Sequence, residues 1–596
     1  MVHSAISGES GQTPVDAGSA AWISRVDVPA AQNAGTGVLA GLTFAAKDNI
    51  DALGLPTTAA CPAFAYEAAA NAVSVQKLLD AGATLLGKTN LDQFACGLNG
   101  TRSPYGAVPN AINPLYVSGG SSSGSAYVVA TGQVDFALGT DTAGSGRVPA
   151  GLNNIVGLKP SRGLISARGV VPAAQGVDCV SIFARTVATA VQVLEVAMGH
   201  DAQDAYSRQL PLASQAFPPA FRFGVPSSLV FCGDAAAEAA FAQAVQKLQA
   251  MGGTPVVIDF TPLADAAALL YESALVAERY TAIRAFFDAH EAEVMEPVRS
   301  IIASGRQYSA ADLYAAQTRL KQLGQQADAM WGEIDLLLVP TAPTHYTIEA
   351  MLADPVALNR NLGAYTNFVN LLDYAALAVP SSLRPDGLPF GITLIGPCGS
   401  DWQLAELGQR YHHSTGLPLG ATGLPLPEMV PIRGIKPEAM VQVAVVGAHL
   451  SGMPLNWQLT DRRATLVAST QTAPHYRLYA LPGTTPPKPG LMRVADGEGA
   501  RIVIEIWRMP VSEYGSFVAL IPYPLGIGSL ALDGGGSVQG FVCEPLALAG
   551  ALDISHLGGW RAYMASVSAP SPSPSGRGRG VRARGAKNTA ALCKGR

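Results

Sequence analysis

Between residues 37 and 200 short apolar runs alternate with helix-periodic stretches, and this rhythm constrains the fold more than any other feature of the 596-residue chain. GLTFAAKDNID (41–51) reads as a strand, VSVQKLLDAGA (73–83) as an amphipathic helix and TLLGKTNLDQF (84–94) as a strand running into a helix. VDFALGTD (134–141) reads as a strand that ends in a glycine-flanked loop. Strands spaced by helical segments bury both faces of one sheet, so the expected first domain is α/β, with a mixed central sheet covered by helices. Helical patterns fill 236–332, and the runs EIDLLLVPTAP (333–343), YTNFVNLLDYAALAVPSSL (365–383) and GLPFGITLIGP (387–397) close the domain.

The chain is longer than one hydrophobic core usually supports. TGLPLGATGLPLPEMVPIRGIKPE (415–438) is rich in Pro and Gly, lacks apolar periodicity and marks a linker, with a boundary near residue 432. Beyond it the pattern changes to short β-like runs: MVQVAVVGAHL (440–450), YRLYALPG (476–483), GLMRVA (490–495), RIVIEIWRM (501–509) and FVALIP (517–522). The expected organisation is an N-terminal segment (1–36), an α/β domain (37–414), the linker, a smaller β-rich α+β domain (439–566) and a low-complexity basic tail (567–596). Disorder is the expectation for that tail.

Composition narrows the class. Charged residues are 14% and hydrophobic residues 48%, which fits large buried cores. A net charge of −5 gives no general basic surface for nucleic acid. Seven cysteines, at 61, 96, 179, 232, 398, 543 and 593, show no CxxC spacing, so neither a disulfide framework nor a metal site is indicated, and a reducing, cytoplasmic setting is expected. No apolar run reaches the roughly 20 residues that span a bilayer. No phosphate loop or nicotinamide fingerprint appears, so no cofactor is expected.

Three residues carry the chemistry. Ser145 sits in GTDTAGSGRVPA (139–150), Ser121 lies 24 positions upstream in GGSSSGS (119–125), and Lys47 stands at a predicted strand end before acidic and amide residues. A serine that attacks as a nucleophile must lose its proton as it attacks, which calls for a base. A lysine can supply the base only when neutral, which burial favours. Asp141 and Arg147, flanking the nucleophile loop, read as a buried ion pair bracing it.

This arrangement, followed by GLNNIVGLKPSRG (151–163), resembles the amidase signature family, whose members cleave carboxamides with a Ser, cis-Ser, Lys triad. The resemblance implies that Ser145 is the nucleophile, Ser121 the relay after a cis Gly120–Ser121 peptide, and Lys47 the base. It places the oxyanion hole at the loop of Thr142, Ala143, Gly144 and Ser145. PTTAACPAFAY (56–66), GKTNLDQFACGLNGTRSPYG (87–106), NNIVGLKPSRGLISARGVVPA (153–173) and DCVSIFARTV (178–187) are closer still to the allophanate hydrolase branch of that family. So are VVGAHLSGMPLN (445–456), YRLYALPG, GFVCE (540–544) and DISHLGGWRAYMAS (553–566) in the second domain. That branch implies hydrolysis of allophanate, late in urea or cyanuric-acid catabolism, by a homodimer with a γ-glutamyl cyclotransferase-like C-terminal domain.

Allophanate is urea bearing a carboxylate, and a guanidinium suits such an anion. LLYESALVAERYTAIRAF (269–286) resembles the family's carboxylate-binding helix, which puts Tyr271 and Arg279 on the substrate. On one helix an eight-residue step returns to within roughly 80° of the same direction, so the two side chains can converge. In the second domain His449 matches the histidine assigned to decarboxylating the first product, with His475 and His556 as alternatives. Two other functions compete: a component passing ammonia from glutamine to a charged transfer RNA, and a broad-range carboxamidase whose second domain only docks or dimerises.

Overall fold

Eleven strands form one mixed sheet in the first of two units, into which the chain divides between Lys436 and Pro437. The computed structural model describes residues 19–26 and 36–568; the expectation of a disordered tail (567–596) falls outside that range except at Val567 and Ser568, which end a helix. The strands are β1 (Trp22–Arg25), β2 (Thr43–Lys47), β3 (Thr84–Thr89), β4 (Phe136–Asp141), β5 (Val156–Lys159) and β6 (Cys179–Ala184). The others are β7 (Phe221–Pro226), β8 (Gly253–Ile258), β9 (Leu336–Pro340), β10 (Ala375–Leu383) and β11 (Pro389–Gly396). Their spatial order is β1-β3-β2-β4-β6-β5-β10-β11-β9-β7-β8.

The sheet is mixed, and only the antiparallel pair β10 and β11 is joined by a short turn. Strand β2 runs parallel to both β3 and β4, whereas β4, β6, β5, β10 and β11 follow one another antiparallel. Every residue of β4, β6 and β11 is buried, as expected for strands covered on both faces. Phe44 of β2 stacks on its register partner Phe136 of β4 with ring centroids 5.2 Å apart, fixing the two strands whose ends carry the chemistry.

Sequence expectations shift at several places. The N-terminal segment contributes β1, which pairs antiparallel with β3; four residues are too few to show a strand's alternation. The stretch 236–332 is interrupted by β8, parallel to β7, where GTPVVI follows the end of the helix Ala235–Ala250. Much of the Pro/Gly-rich segment lies along the first unit: Ile432 joins its largest core, and Asn154 Nδ2 donates to the carbonyls of Pro418 and Gly420.

The second unit holds a five-stranded sheet of β12 (Met440–Val445), β13 (Thr465–Gln471), β14 (Val503–Pro510), β15 (Leu525–Ala531) and β16 (Ser537–Cys543), in the order β13-β14-β12-β16-β15. A three-stranded sheet and the helix Trp560–Ser568 accompany it. FVALIP is not a strand. It starts within the helix Val511–Val518, whose Phe517 is buried; a short apolar run does not by itself distinguish the two. Among the described residues no helix is long and apolar enough to cross a membrane.

Candidate active site

Parallel pairing of β2 with β4 brings their C-terminal ends to one edge of the sheet, the edge at which α/β folds place ligands. Lys47 ends β2, and Thr140 and Asp141 end β4. The Lys47 side chain is fully buried, and its Nζ lies 2.7 Å from both Ser121 Oγ and Thr140 Oγ1. Both partners are hydroxyls, which donate to a neutral amine as readily as they accept from an ammonium. Burial lowers the Lys47 pKa to about 7, against the opposing pull of Asp92, Asp178 and Asp141, while Arg279 lowers it further. The site therefore holds a substantial fraction of free amine at neutral pH.

Ser121 precedes the helix Ser123–Ala130, and the Gly120–Ser121 peptide is cis. Ser145 is buried, and its Oγ donates to the Gly97 carbonyl at 3.4 Å rather than to Ser121. Catalytic hydrogen bonds are often loose before substrate arrives, and χ1 rotation is the motion that redirects a serine hydroxyl.

The loop from Thr142 to Ser145 is held from beneath by Asp141. Its carboxylate accepts from Gly144 N at 2.9 Å, Gly146 N at 3.0 Å, Arg147 Nε at 2.9 Å and Arg147 Nη2 at 3.0 Å. Burial alone would raise the Asp141 pKa, but Arg147, with Lys159 and the Gly146 N–H, together hold the carboxyl below its ordinary value. The ion pair read from the sequence is thus present, with both side chains fully buried. Gly144 has φ 136°, and Thr366 fills the space a Cβ would need, so only glycine suits this position.

Tyr271 and Arg279 are brought together, by a different route from the single helix expected. Tyr271 belongs to Thr261–Glu272 and Arg279 to Ala277–Ala282, separated by an extended Ser273. That serine ends the first helix by donating its hydroxyl to Leu269 O and caps the following turn by accepting from Leu275 N. Arg279 Nη2 donates to Tyr271 Oη at 3.1 Å. Arg279 Nε and Nη1 are buried without a hydrogen-bond partner. A desolvated guanidinium with unused donors is suited to an anion. Tyr271 also lines a largely apolar cavity of about 840 Å³ with Leu98, Arg102 and Asn367.

In the second unit His449 lines a cavity of about 170 Å³ together with Gln458, Lys488 and Phe541. Its ring stacks on Phe541 at 5.0 Å, and Nε2 lies 2.8 Å from Gln458 Oε1. Burial lowers the His449 pKa, with Lys488 adding to the effect and Gln458 opposing it. Among the described residues no carboxylate lines the cavity, so Lys488 gives it positive character. His475, 3.0 Å from Asp496, and the exposed His556 do not line it.

Sequence reasoning passed over Thr140, Asp178, Gln458 and Lys488. None carries a local signature: a threonine inside a strand and a lysine between prolines gain meaning only from what the fold places opposite them.

The chain matches the Amidase family over residues 15–405 and the Allophanate hydrolase C-terminal domain over residues 441–565. It is 46% identical over 542 residues to the urea amidolyase of Lachancea kluyveri and 44% identical over 549 residues to that of Saccharomyces cerevisiae. These matches cover 88% and 89% of the chain but only 30% of each relative. The solved allophanate hydrolase of Kluyveromyces lactis superposes with a TM-score of 0.73 at 42% identity, covering 92% of this chain and 94% of that one.

Proposed function

We propose, for a chain that belongs to the amidase family and carries an allophanate hydrolase C-terminal domain, that its first unit hydrolyses the terminal amide of allophanate and its second decarboxylates the product. Neutral Lys47 takes the Ser121 proton as Ser121 takes that of Ser145, whose Oγ attacks the terminal carbonyl carbon. Backbone N–H groups of the loop at Thr142 and Ala143 face the developing oxyanion, each such donor contributing about 3–4 kcal/mol to lowering the barrier, whereas the Gly144 N–H, also expected there from the sequence, is taken up by Asp141. The tetrahedral intermediate collapses, Ser121 returns a proton to the departing nitrogen, and ammonia leaves. Water then attacks the acyl-Ser145 carbonyl by the same relay and releases N-carboxycarbamate, a dianion. Arg279 and Tyr271 hold the substrate carboxylate throughout.

In the second unit Lys488 offsets the dianion's charge and His449 delivers a proton to its nitrogen as carbon dioxide leaves. Carbamate then breaks down to a second ammonia and carbon dioxide. Because His449 is biased toward its neutral form, the positive charge in the free pocket comes from Lys488, and the arriving dianion draws a proton onto the histidine. The reading includes a cofactor-free, cytoplasmic homodimer, and size-exclusion with light scattering tests the dimer.

The observation that carries the proposal is a buried lysine bonded to the hydroxyl of Ser121 with its pKa brought down to about 7. The test is ammonia release from freshly prepared allophanate by the full-length protein, with Ser145→Ala as the blank. Fast release abolished in the variant is the expected result. Hydrolysis of aliphatic amides without turnover of allophanate would replace the substrate assignment with a general carboxamidase.

A further inference from the structure

Asp178 stands at the junction of three parts of the first site without belonging to any of them. It follows the loop of Val171 to Val177 and precedes β6. Its Oδ2 accepts from Ala173 N at 2.7 Å and Ala174 N at 3.1 Å, closing that loop on itself. Its Oδ1 does something else: it accepts the Thr142 hydroxyl at 2.5 Å. Thr142 opens the nucleophile loop, three residues before Ser145. The same carboxylate acts electrostatically on both Lys47 and Arg279.

We infer that Asp178 is a positioning residue of the amide hydrolase, fixing the nucleophile loop through the Thr142 hydroxyl. The inference rests on the catalytic reading above, in which that loop supplies the oxyanion hole. Asp141 anchors the loop's far half, through Gly144 and Gly146, and Asp178 anchors its first residue, so the loop is held at both ends. Burial raises the Asp178 pKa to about 6 against the hydrogen bonds and Arg279 that favour the anion, which leaves it an acceptor at neutral pH. Thr142 can then only donate, which sets its hydroxyl toward Asp178 rather than toward the reacting carbonyl. The groups acting on Lys47 are Asp92, Asp178 and Asp141, which raise its pKa, and Arg279, which lowers it. Removing the Asp178 charge therefore makes Lys47 easier to deprotonate even as it loosens the loop.

A carboxylate that merely closed the 173–178 turn would show none of this coupling. The experiment compares Asp178→Asn, Thr142→Val and the double variant in the full-length protein. It reads Ser145-dependent ammonia release from allophanate or, should allophanate not be turned over, from a simple aliphatic amide. Each single change is expected to lower kcat by about tenfold or more, the scale of a lost hydrogen bond to a charged group, with KM nearly unchanged. The double variant is expected to be no slower than the worse single one. The acid limb of the kcat/KM profile is expected to move to lower pH in Asp178→Asn and to stay in place in Thr142→Val. Thr142→Ser, which keeps the hydroxyl, serves as a second measurement if Asp178→Asn folds poorly, and should retain most of kcat. Losses that multiply in the double variant, a loss confined to KM, or an activity-neutral Thr142→Val would overturn the inference. Retained turnover in Ser145→Ala would instead remove the catalytic reading beneath it.

Discussion

Replacing Lys47 by methionine tests the electrostatics of the site without relying on activity. The ordinary lysine pKa is 10.5, and in the folded site burial brings it to about 7. Above 10.5 both the folded and the unfolded chain carry a neutral amine, and the lysine costs nothing. As pH falls, the unfolded chain takes up a proton that the folded site refuses, so stability declines by about 1.36 kcal/mol per pH unit. Below about 7 the loss is complete, at about 5 kcal/mol. Lys47→Met abolishes this pH dependence. It also leaves the hydroxyls of Ser121 and Thr140 without their amine partner, which costs about 1–3 kcal/mol for each group left unpaired but does not vary with pH. Wild type should therefore lose about 3 kcal/mol relative to the variant between about pH 9.5 and 6.5. Denaturant unfolding of both proteins across that range measures it. A flat difference would mean that the folded site keeps Lys47 protonated, and the proposed base would be lost with it.

Four further outcomes follow from the same geometry. Ser145-dependent kcat/KM should fall with an acid limb near pH 7, where Lys47 becomes protonated; rates that stay level down to about pH 5 would exclude a lysine base. Arg279→Lys should raise KM for allophanate by about tenfold or more yet leave a neutral amide within about twofold, because an ammonium cannot reproduce a guanidinium's fork; equal effects on both would reject carboxylate binding. His449→Ala should preserve the first ammonia release and slow carbon dioxide evolution, which a stopped assay for each gas resolves, and a parallel fall in both steps would assign the histidine to folding. Asp141→Asn strips a fully buried guanidinium of its counter-charge and should destabilise the first unit by about 3–5 kcal/mol in chemical unfolding.

The legible parts of the chain were those whose signal is local. VDFALGTD, GLPFGITLIGP and RIVIEIWRM are apolar enough over enough residues to declare strands, and β4, β11 and β14 lie where they read. Strand β1 escaped because four residues between small and polar neighbours carry no periodicity; it exists because β3 offers an edge to pair with. Tyr271 and Arg279 show a subtler limit. Their spacing suggested one helix, yet the capping chemistry of Ser273 breaks it, and the side chains meet across the break. Thr140, Asp178 and Lys488 were illegible for one common reason: each acts on a group brought to it by tertiary packing, and no spacing in the sequence encodes that.

Arg279 lowers the Lys47 pKa, but three carboxylates, Asp92, Asp178 and Asp141, raise it and favour the ammonium. The fold avoids that outcome by giving each carboxylate other work. Asp92 accepts from the backbone N–H groups of Asn99, Gly100 and Arg102, Asp141 from Gly144, Gly146 and Arg147, and Asp178 from Thr142, Ala173 and Ala174. None of the three makes an ion pair with Lys47 among the described residues, so they act on it only through space. What touches the amine is two hydroxyls, and a hydroxyl, unlike a carboxylate, can give a proton to a lone pair. The difference between a structural lysine and a base here lies less in burial than in the choice of contact atoms. Lys88, equally buried one strand away, differs in its contact: burial lowers its pKa too, but Asp48, 3.3 Å away, opposes the shift directly.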